Sequence, residues 1–129
     1  MADVSKDNGG TNMQQASILL VEDEALIRMM LSEMMDELGH VVVAEAGSIE
    51  AARPLAERAE FNLAILDINI DGLNIRPIAE IIEKRGLPFL FVTGYGPAGL
   101  PEPFRERPVL WKPCMIENLQ QAIDRLLVS

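Results

Sequence analysis

Glu22, Asp23, Asp67, Thr93 and Lys112 are the residues whose types and places admit chemistry in this chain. Three carry carboxylates, one a hydroxyl and one an ammonium. Each stands where a short apolar run gives way to polar sequence: SILLV before Glu22-Asp23, LAIL before Asp67, FLFV before Thr93, and VLW before Lys112-Pro113. Three carboxylates brought to one low-dielectric edge repel one another strongly. A small hard dication relieves that repulsion, and Mg²⁺ takes oxygen ligands while keeping several waters. With an ammonium and a hydroxyl alongside, the site suits a group that offers oxygens to all three, which is a phosphoryl group. The matching chemistry is phosphoryl transfer to a carboxylate, driven by positioning and opposite charge. Taken singly, each feature has a plain structural use. Glu22-Asp23 serves as a helix N-terminal partner, Asp67 as an Asx turn, Thr93-Gly94 as a turn and Lys112-Pro113 as a solvated strand end. Their joint occurrence at strand ends is what those uses leave unexplained.

For these residues to meet, the runs before them must lie side by side. Ser17–Val21 reads as a first strand. Glu24–Leu38 follows as a helix, with Ile27, Met30, Leu31, Met34 and Leu38 at helical spacing and Gly39 ending it. Val41–Ala46 is a second strand, and Ser48 caps a helix through about Ala59 in which Pro54 is expected to introduce a kink. Phe61–Asp67 holds the third strand, INIDGLN a loop, and Ile75–Arg85 a helix with Pro77 in its first turn. Phe89–Val92 and Val109–Trp111 are strands four and five, and Ile116–Leu127 closes the chain as a helix. Strands apolar on both faces, alternating with helices, predict an α/β fold with a parallel sheet covered on both sides. Ligands of such sheets sit at the carboxyl ends of the strands. One connection breaks the alternation. PAGLPEPFRER carries Pro97, Pro101 and Pro103, each lacking a helix donor, so a loop or at most one irregular turn is expected there.

Composition narrows the setting. A chain of 129 residues with 49% hydrophobic and 24% charged side chains is expected to be one globular domain. Residues 1–15 are polar and aperiodic and read as a disordered tail, leaving 16–129 as the domain. The apolar runs are far shorter than the roughly 20 residues of a membrane span, and no signal peptide is expected. Net charge −9 argues against nucleic acid as a partner. The single cysteine, Cys114, cannot form an internal disulfide, which fits a reducing, cytoplasmic setting.

Over about Ser17–Leu127 the chain resembles the receiver domain of two-component response regulators. The resemblance implies a doubly wound, five-stranded flavodoxin-like sheet of strand order 2-1-3-4-5. It implies Asp67 as phosphoacceptor from a histidine kinase or histidine phosphotransfer protein. Glu22 and Asp23 match the acidic pair that holds Mg²⁺, with Glu in place of the more usual Asp. Asn69 matches the residue whose backbone carbonyl is a metal ligand. Thr93 matches the hydroxyl that follows the phosphoryl group, and Lys112 the lysine whose bond to the next proline is typically cis. Three departures stand out. Val109 takes the place of the switch aromatic three residues before the lysine, Asp71 stands where a proline often follows the acceptor loop, and the fourth helix is short or absent. Phe91-Val92-Thr93-Gly94-Tyr95 is similar to the Phe-Ala-Thr-Gly-x-Tyr signature of a receiver subgroup of alphaproteobacterial stress and sensory signalling. Tyr95 is the candidate to replace the missing aromatic, and Trp111, on the same strand parity as Val109, is expected to play a packing role. Met29, almost opposite Ile27 on the first helix, is either a stray exposed side chain or a compliant contact for a kinase's helical domain.

The resemblance implies a phosphoacceptor rather than an enzyme, with at most slow self-dephosphorylation. Only Val128 and Ser129 follow the closing helix, so a stand-alone receiver that signals by protein–protein contact is expected. It is expected to be monomeric, because the fourth-helix face often used for receiver dimers is reduced. The alternative is a pseudo-receiver that binds partners without phosphate. A haloacid-dehalogenase-type phosphatase would need a second Asp where Asn69 stands. A flavodoxin-like FMN site would need a Ser/Thr/Gly-rich loop where the chain has EDEAL.

Overall fold

The structure is a computed structural model in which residues 15–94, 100, 104 and 107–127 are described. Its elements run β1 (Ser17–Val21), α1 (Ala25–Glu37), β2 (Val41–Ala46), α2 (Ile49–Arg58), β3 (Leu63–Asp67), β4 (Asn69–Ile70), β5 (Leu73–Asn74), α3 (Arg76–Lys84), β6 (Phe89–Thr93), β7 (Val109–Trp111) and α4 (Ile116–Leu127). The strands of the main sheet pair in parallel in the order β2-β1-β3-β6-β7. This is the expected 2-1-3-4-5 order, with a small antiparallel hairpin, β4-β5, inserted after the third strand.

Period-two alternation splits the apolar strands between two cores. Leu19, Val21, Ala64, Leu66, Phe89 and Phe91 face α2 and α3, where Ile78, Ala79 and Ile82 are buried with them. Ile18, Leu20, Leu63, Ile65, Leu90 and Val92 face α1 and α4, against Leu31, Met35, Leu119 and Ile123. Every residue of β3 and β6 is buried, as a strand covered on both sides requires. The two central strands are therefore rigidly held, and both carry a site residue at their last position, Asp67 and Thr93.

Local signals account for most boundaries. Ser48 Oγ accepts from Ala51 N at 3.0 Å and caps α2, which is continuous through Pro54. Ile75 is the N-cap of α3, with Pro77 in its first turn where the missing N–H costs nothing. The loop expected over INIDGLN is instead a hairpin whose central residues, Asp71 and Gly72, have φ of +52° and +80°. Two successive positive φ values mark the type I′ geometry that Asp-Gly favours.

Two expectations fail on burial. Met30 is 40% exposed rather than part of the core stripe, and Met35 is buried in its place. The first turns of α1 are apolar nearly all round, so spacing alone left its rotation undecided; Leu31 and Met35, one turn apart, face the sheet. Trp111 does not pack into the core either: it lies 55% exposed on β7. Between β6 and β7 the described residues include no α-helix; Phe104 lies in a 3₁₀ turn, Arg107 N donates to Phe104 O, and Phe104 is buried edge-on to Phe89. The rest of the loop expected there, the tail before Gln15 and the switch candidate Tyr95 lie outside the described residues.

Candidate functional site

β1 and β3 are neighbours in the middle of the sheet, and β6 lies on the far side of β3, so their carboxyl ends share one edge. That edge opens into a cleft of about 340 Å³ lined by Asp23, Glu24, Asp67, Asn69, Gly72, Gly94 and Lys112. Glu22, Asp23 and Asp67 each place a carboxylate oxygen within 4.8 Å of the others. Glu22 and Asp67 are almost fully buried, at 1% and 4% exposure, while Asp23 is half-buried.

Lys112 arrives from the end of β7, where its N–H donates to Thr93 O at 2.9 Å, and its bond to Pro113 is cis. Its Nζ donates to Asp67 Oδ2 at 3.0 Å and lies 2.8 Å from Glu22 Oε1. These two carboxylates hold the ammonium above the ordinary lysine range despite partial burial, which opposes its charge. The contact with Glu22 is a buried ion pair, so the one ammonium is shared between two carboxylates. The other Glu22 oxygen accepts from Glu24 N at 2.9 Å. Burial, helped by the nearby Asp67 charge, pushes the Glu22 carboxyl up, against the pull of Lys112 and the Glu24 amide. Asp23 is held below the usual carboxylate range. Its partial burial opposes ionisation, but Asp71 N donates to Oδ2 at 2.8 Å and prevails. Asn69 N reaches Asp67 Oδ1 at 3.4 Å.

Three carboxylates against one ammonium leave uncompensated negative charge. An oxygen-seeking dication fits that donor set. A Cβ on Gly94 would meet only Lys112 Cδ at 3.8 Å, an ordinary contact, so this glycine leaves room toward the cleft rather than relieving a clash. Thr93 is buried, and its cross-strand partner is Trp111.

The structure thus gathers Glu22, Asp23, Asp67, Asn69, Thr93 and Lys112 at one edge. Val109 is half-buried and packs against the α2–α3 core. Sequence reasoning missed the amides of Glu24 and Asp71, which orient the acidic pair. Asp71-Gly72 between Ile70 and Leu73 was a hairpin signal, but strands of two residues are too short to register as alternation.

A second concavity adjoins the site. Ile27, Met30, Leu31 and Met34 of α1 form an apolar groove of about 270 Å³ with Val92, Pro113 and Cys114, and Lys112 lines both this groove and the cleft. Leu26 and Met29 of the same helix, outside the groove's lining, are 67% and 53% exposed. Burial pushes the Cys114 thiol up, which keeps it in the protonated, unreactive form. Alkylation by iodoacetamide at neutral pH is expected to run several-fold slower on folded protein than in denaturant, and equal rates would contradict this placement.

A doubly wound five-stranded sheet with three acids, a threonine and a lysine at its carboxyl edge defines the receiver class. The chain belongs to that family: residues 18–124 match the response regulator receiver domain. Receiver domains are regulatory modules rather than classical enzymes. The transcriptional regulatory protein PdtaR of Mycobacterium tuberculosis is 38% identical over 113 residues, covering 83% of this chain and 54% of that protein. The chain therefore spans about half the length of that curated relative. Among solved structures, SdrG from Sphingomonas melonis Fr1 superposes with a TM-score of 0.79 at 36% identity, covering 88% of this chain and 98% of SdrG. The anti-anti-sigma factor PhyR from Bartonella quintana gives 0.76 at 26%, covering 91% and 49%. Among the described residues no helix is long and apolar enough to cross a membrane.

Proposed function

We propose that the chain is a Mg²⁺-dependent phosphoacceptor that takes a phosphoryl group on Asp67 from a phosphohistidine and signals by protein–protein contact. The observation that carries this reading is the clustering of three carboxylates with Lys112 at one strand edge, more negative charge than the single ammonium offsets. Glu22, Asp23, Asp67 and the Asn69 carbonyl are the groups that would hold the ion, which supplies charge neutralisation for the incoming phosphoryl oxygens. An Asp67 carboxylate oxygen attacks phosphorus as the phosphorus–nitrogen bond to the donor imidazole breaks, and the nitrogen leaves with the bond's electron pair. Lys112, already on Asp67 Oδ2, turns to the phosphoryl oxygens, and the Thr93 hydroxyl follows them. Burial of Asp67 keeps bulk water from competing with these contacts. Borohydride reduction followed by peptide mass spectrometry should convert residue 67 alone into homoserine after phosphorylation; reduction at another residue overturns the assignment.

The groove beside Lys112 supports a docking role for α1. Its exposed Leu26, Met29 and Met30 offer a compliant apolar surface for a helix of the phosphodonor domain. Met29→Glu is expected to slow transfer from a phosphohistidine protein by about tenfold. It should leave phosphorylation by acetyl phosphate, which needs no docking, unchanged; equal slowing of both would contradict the role. The acidic surface, with net charge −9, fits a protein rather than a nucleic-acid partner, and a cytoplasmic, monomeric state is part of the same reading.

A further inference from the structure

Arg28 belongs to none of the motif positions, yet its surroundings are shaped to it. From the second turn of α1 its Nη1 donates to the main-chain oxygen of Glu22 at 2.5 Å. Its Nε lies 3.4 Å from Glu45 Oε1 near the end of β2. The residue just beyond β2 is Gly47. A Cβ there would stand 2.8 Å from Arg28 Nη1, 3.6 Å from Cζ and 3.7 Å from the Glu22 oxygen. Gly47 does not have positive φ, so backbone conformation does not demand glycine at this position. The missing side chain makes room for the guanidinium.

The carbonyl that Arg28 grips is that of the peptide joining Glu22 to Asp23. Glu22 N donates to Ala46 O at 3.0 Å, so the residue is also tied to β2 on its amino side. With the carbonyl fixed as well, the plane from which both carboxylates project has little freedom. A planar fork suits this task, because it can hold a carbonyl and a carboxylate together where an ammonium is a single point charge.

We propose that Arg28, seated in the space left by Gly47, is a positioning residue that orients the Glu22–Asp23 peptide and so sets the affinity of the acidic cluster for a divalent cation. This rests on the Mg²⁺ reading of the site. Outer groups that orient metal ligands characteristically affect affinity by tenfold or more. The sign of the effect separates positioning from plain electrostatics. Removing a cation from the neighbourhood of a dication site strengthens binding through the field alone, whereas losing the clamp weakens it.

Isothermal titration of the full chain with MgCl₂, with thermal unfolding recorded in parallel, tests the proposal on wild type, Arg28→Ala, Arg28→Lys and Gly47→Ala. Arg28→Ala and Gly47→Ala are each expected to weaken Mg²⁺ binding by about tenfold, with Arg28→Lys in between. Gly47→Ala keeps the charge and acts only by displacing the guanidinium. The double variant Arg28→Ala/Gly47→Ala is expected to bind no more weakly than Arg28→Ala, because both changes break one clamp. Affinities within twofold of wild type in both single variants, or tighter binding by Arg28→Ala, would overturn the proposal. A wild type that binds no Mg²⁺ at millimolar concentration would overturn the metal reading itself, and this inference with it.

Discussion

Lys112→Met is expected to destabilise the protein by about 3 kcal/mol at neutral pH without dications, because it removes the ammonium held between two buried carboxylates. For a chain of this size that lowers the unfolding midpoint by about 10 °C. Methionine roughly keeps the volume, so the loss is electrostatic rather than a cavity. The direction of its pH dependence follows from the same contacts. In the wild type, Lys112 is raised above its ordinary range, so its contribution is fully present below the unfolded lysine pKa and is lost as pH rises through the folded value. Without Lys112 the Glu22 carboxyl, already pushed up by burial, moves higher still. The deficit should therefore shrink as pH falls and Glu22 takes a proton, and it should also shrink when Mg²⁺ is added. Thermal unfolding across pH, with and without Mg²⁺, checks both. A variant as stable as wild type at neutral pH would contradict the charge balance described for the site.

Asp67→Asn should act with the opposite sign. The carboxylate is almost fully buried and lies within 4.8 Å of two others, so neutralising it removes a desolvation cost and two repulsions. Lys112 keeps Glu22 as its partner, and the asparagine can turn its oxygen to the ammonium, giving up only the long 3.4 Å contact from Asn69 N. The variant is expected to be more stable than wild type by about 1 kcal/mol in the absence of metal, while its stabilisation by Mg²⁺ largely disappears. Unfolding in urea with and without Mg²⁺ reads both quantities. A destabilised variant would show that Asp67 is a structural partner of Lys112 rather than a strained functional group.

Much of this site was legible before any coordinates. Asp67 and Thr93 end buried strands whose apolar runs are unmistakable, Lys112 follows the partly exposed β7, and parallel pairing brings strand ends together of necessity. Glu22-Asp23 was placed by the same rule. What stayed hidden was tertiary. The grip of Arg28 on Glu22 O depends on how α1 crosses the end of β2, and Gly47 looks like any turn glycine until the guanidinium is seen beside it. The Asp71–Asp23 contact needs the hairpin, whose two-residue strands carry no periodic signal. The rotation of α1 was misjudged because Leu26, Met29 and Met30 make its start apolar on several sides. Their exposure is a surface property that a period cannot reveal. Trp111 was misplaced for a related reason, since strand parity gives a face but not what covers it.

The central claim is that Asp67 accepts a phosphoryl group in a Mg²⁺-dependent reaction. Intact mass of the full chain after incubation with acetyl phosphate and Mg²⁺ tests it most directly. The account predicts one phosphoryl adduct on wild type, lost when Mg²⁺ is chelated and absent from Asp67→Asn. An unmodified wild type under these conditions and with a phosphohistidine donor, or an adduct that persists in Asp67→Asn, would contradict it.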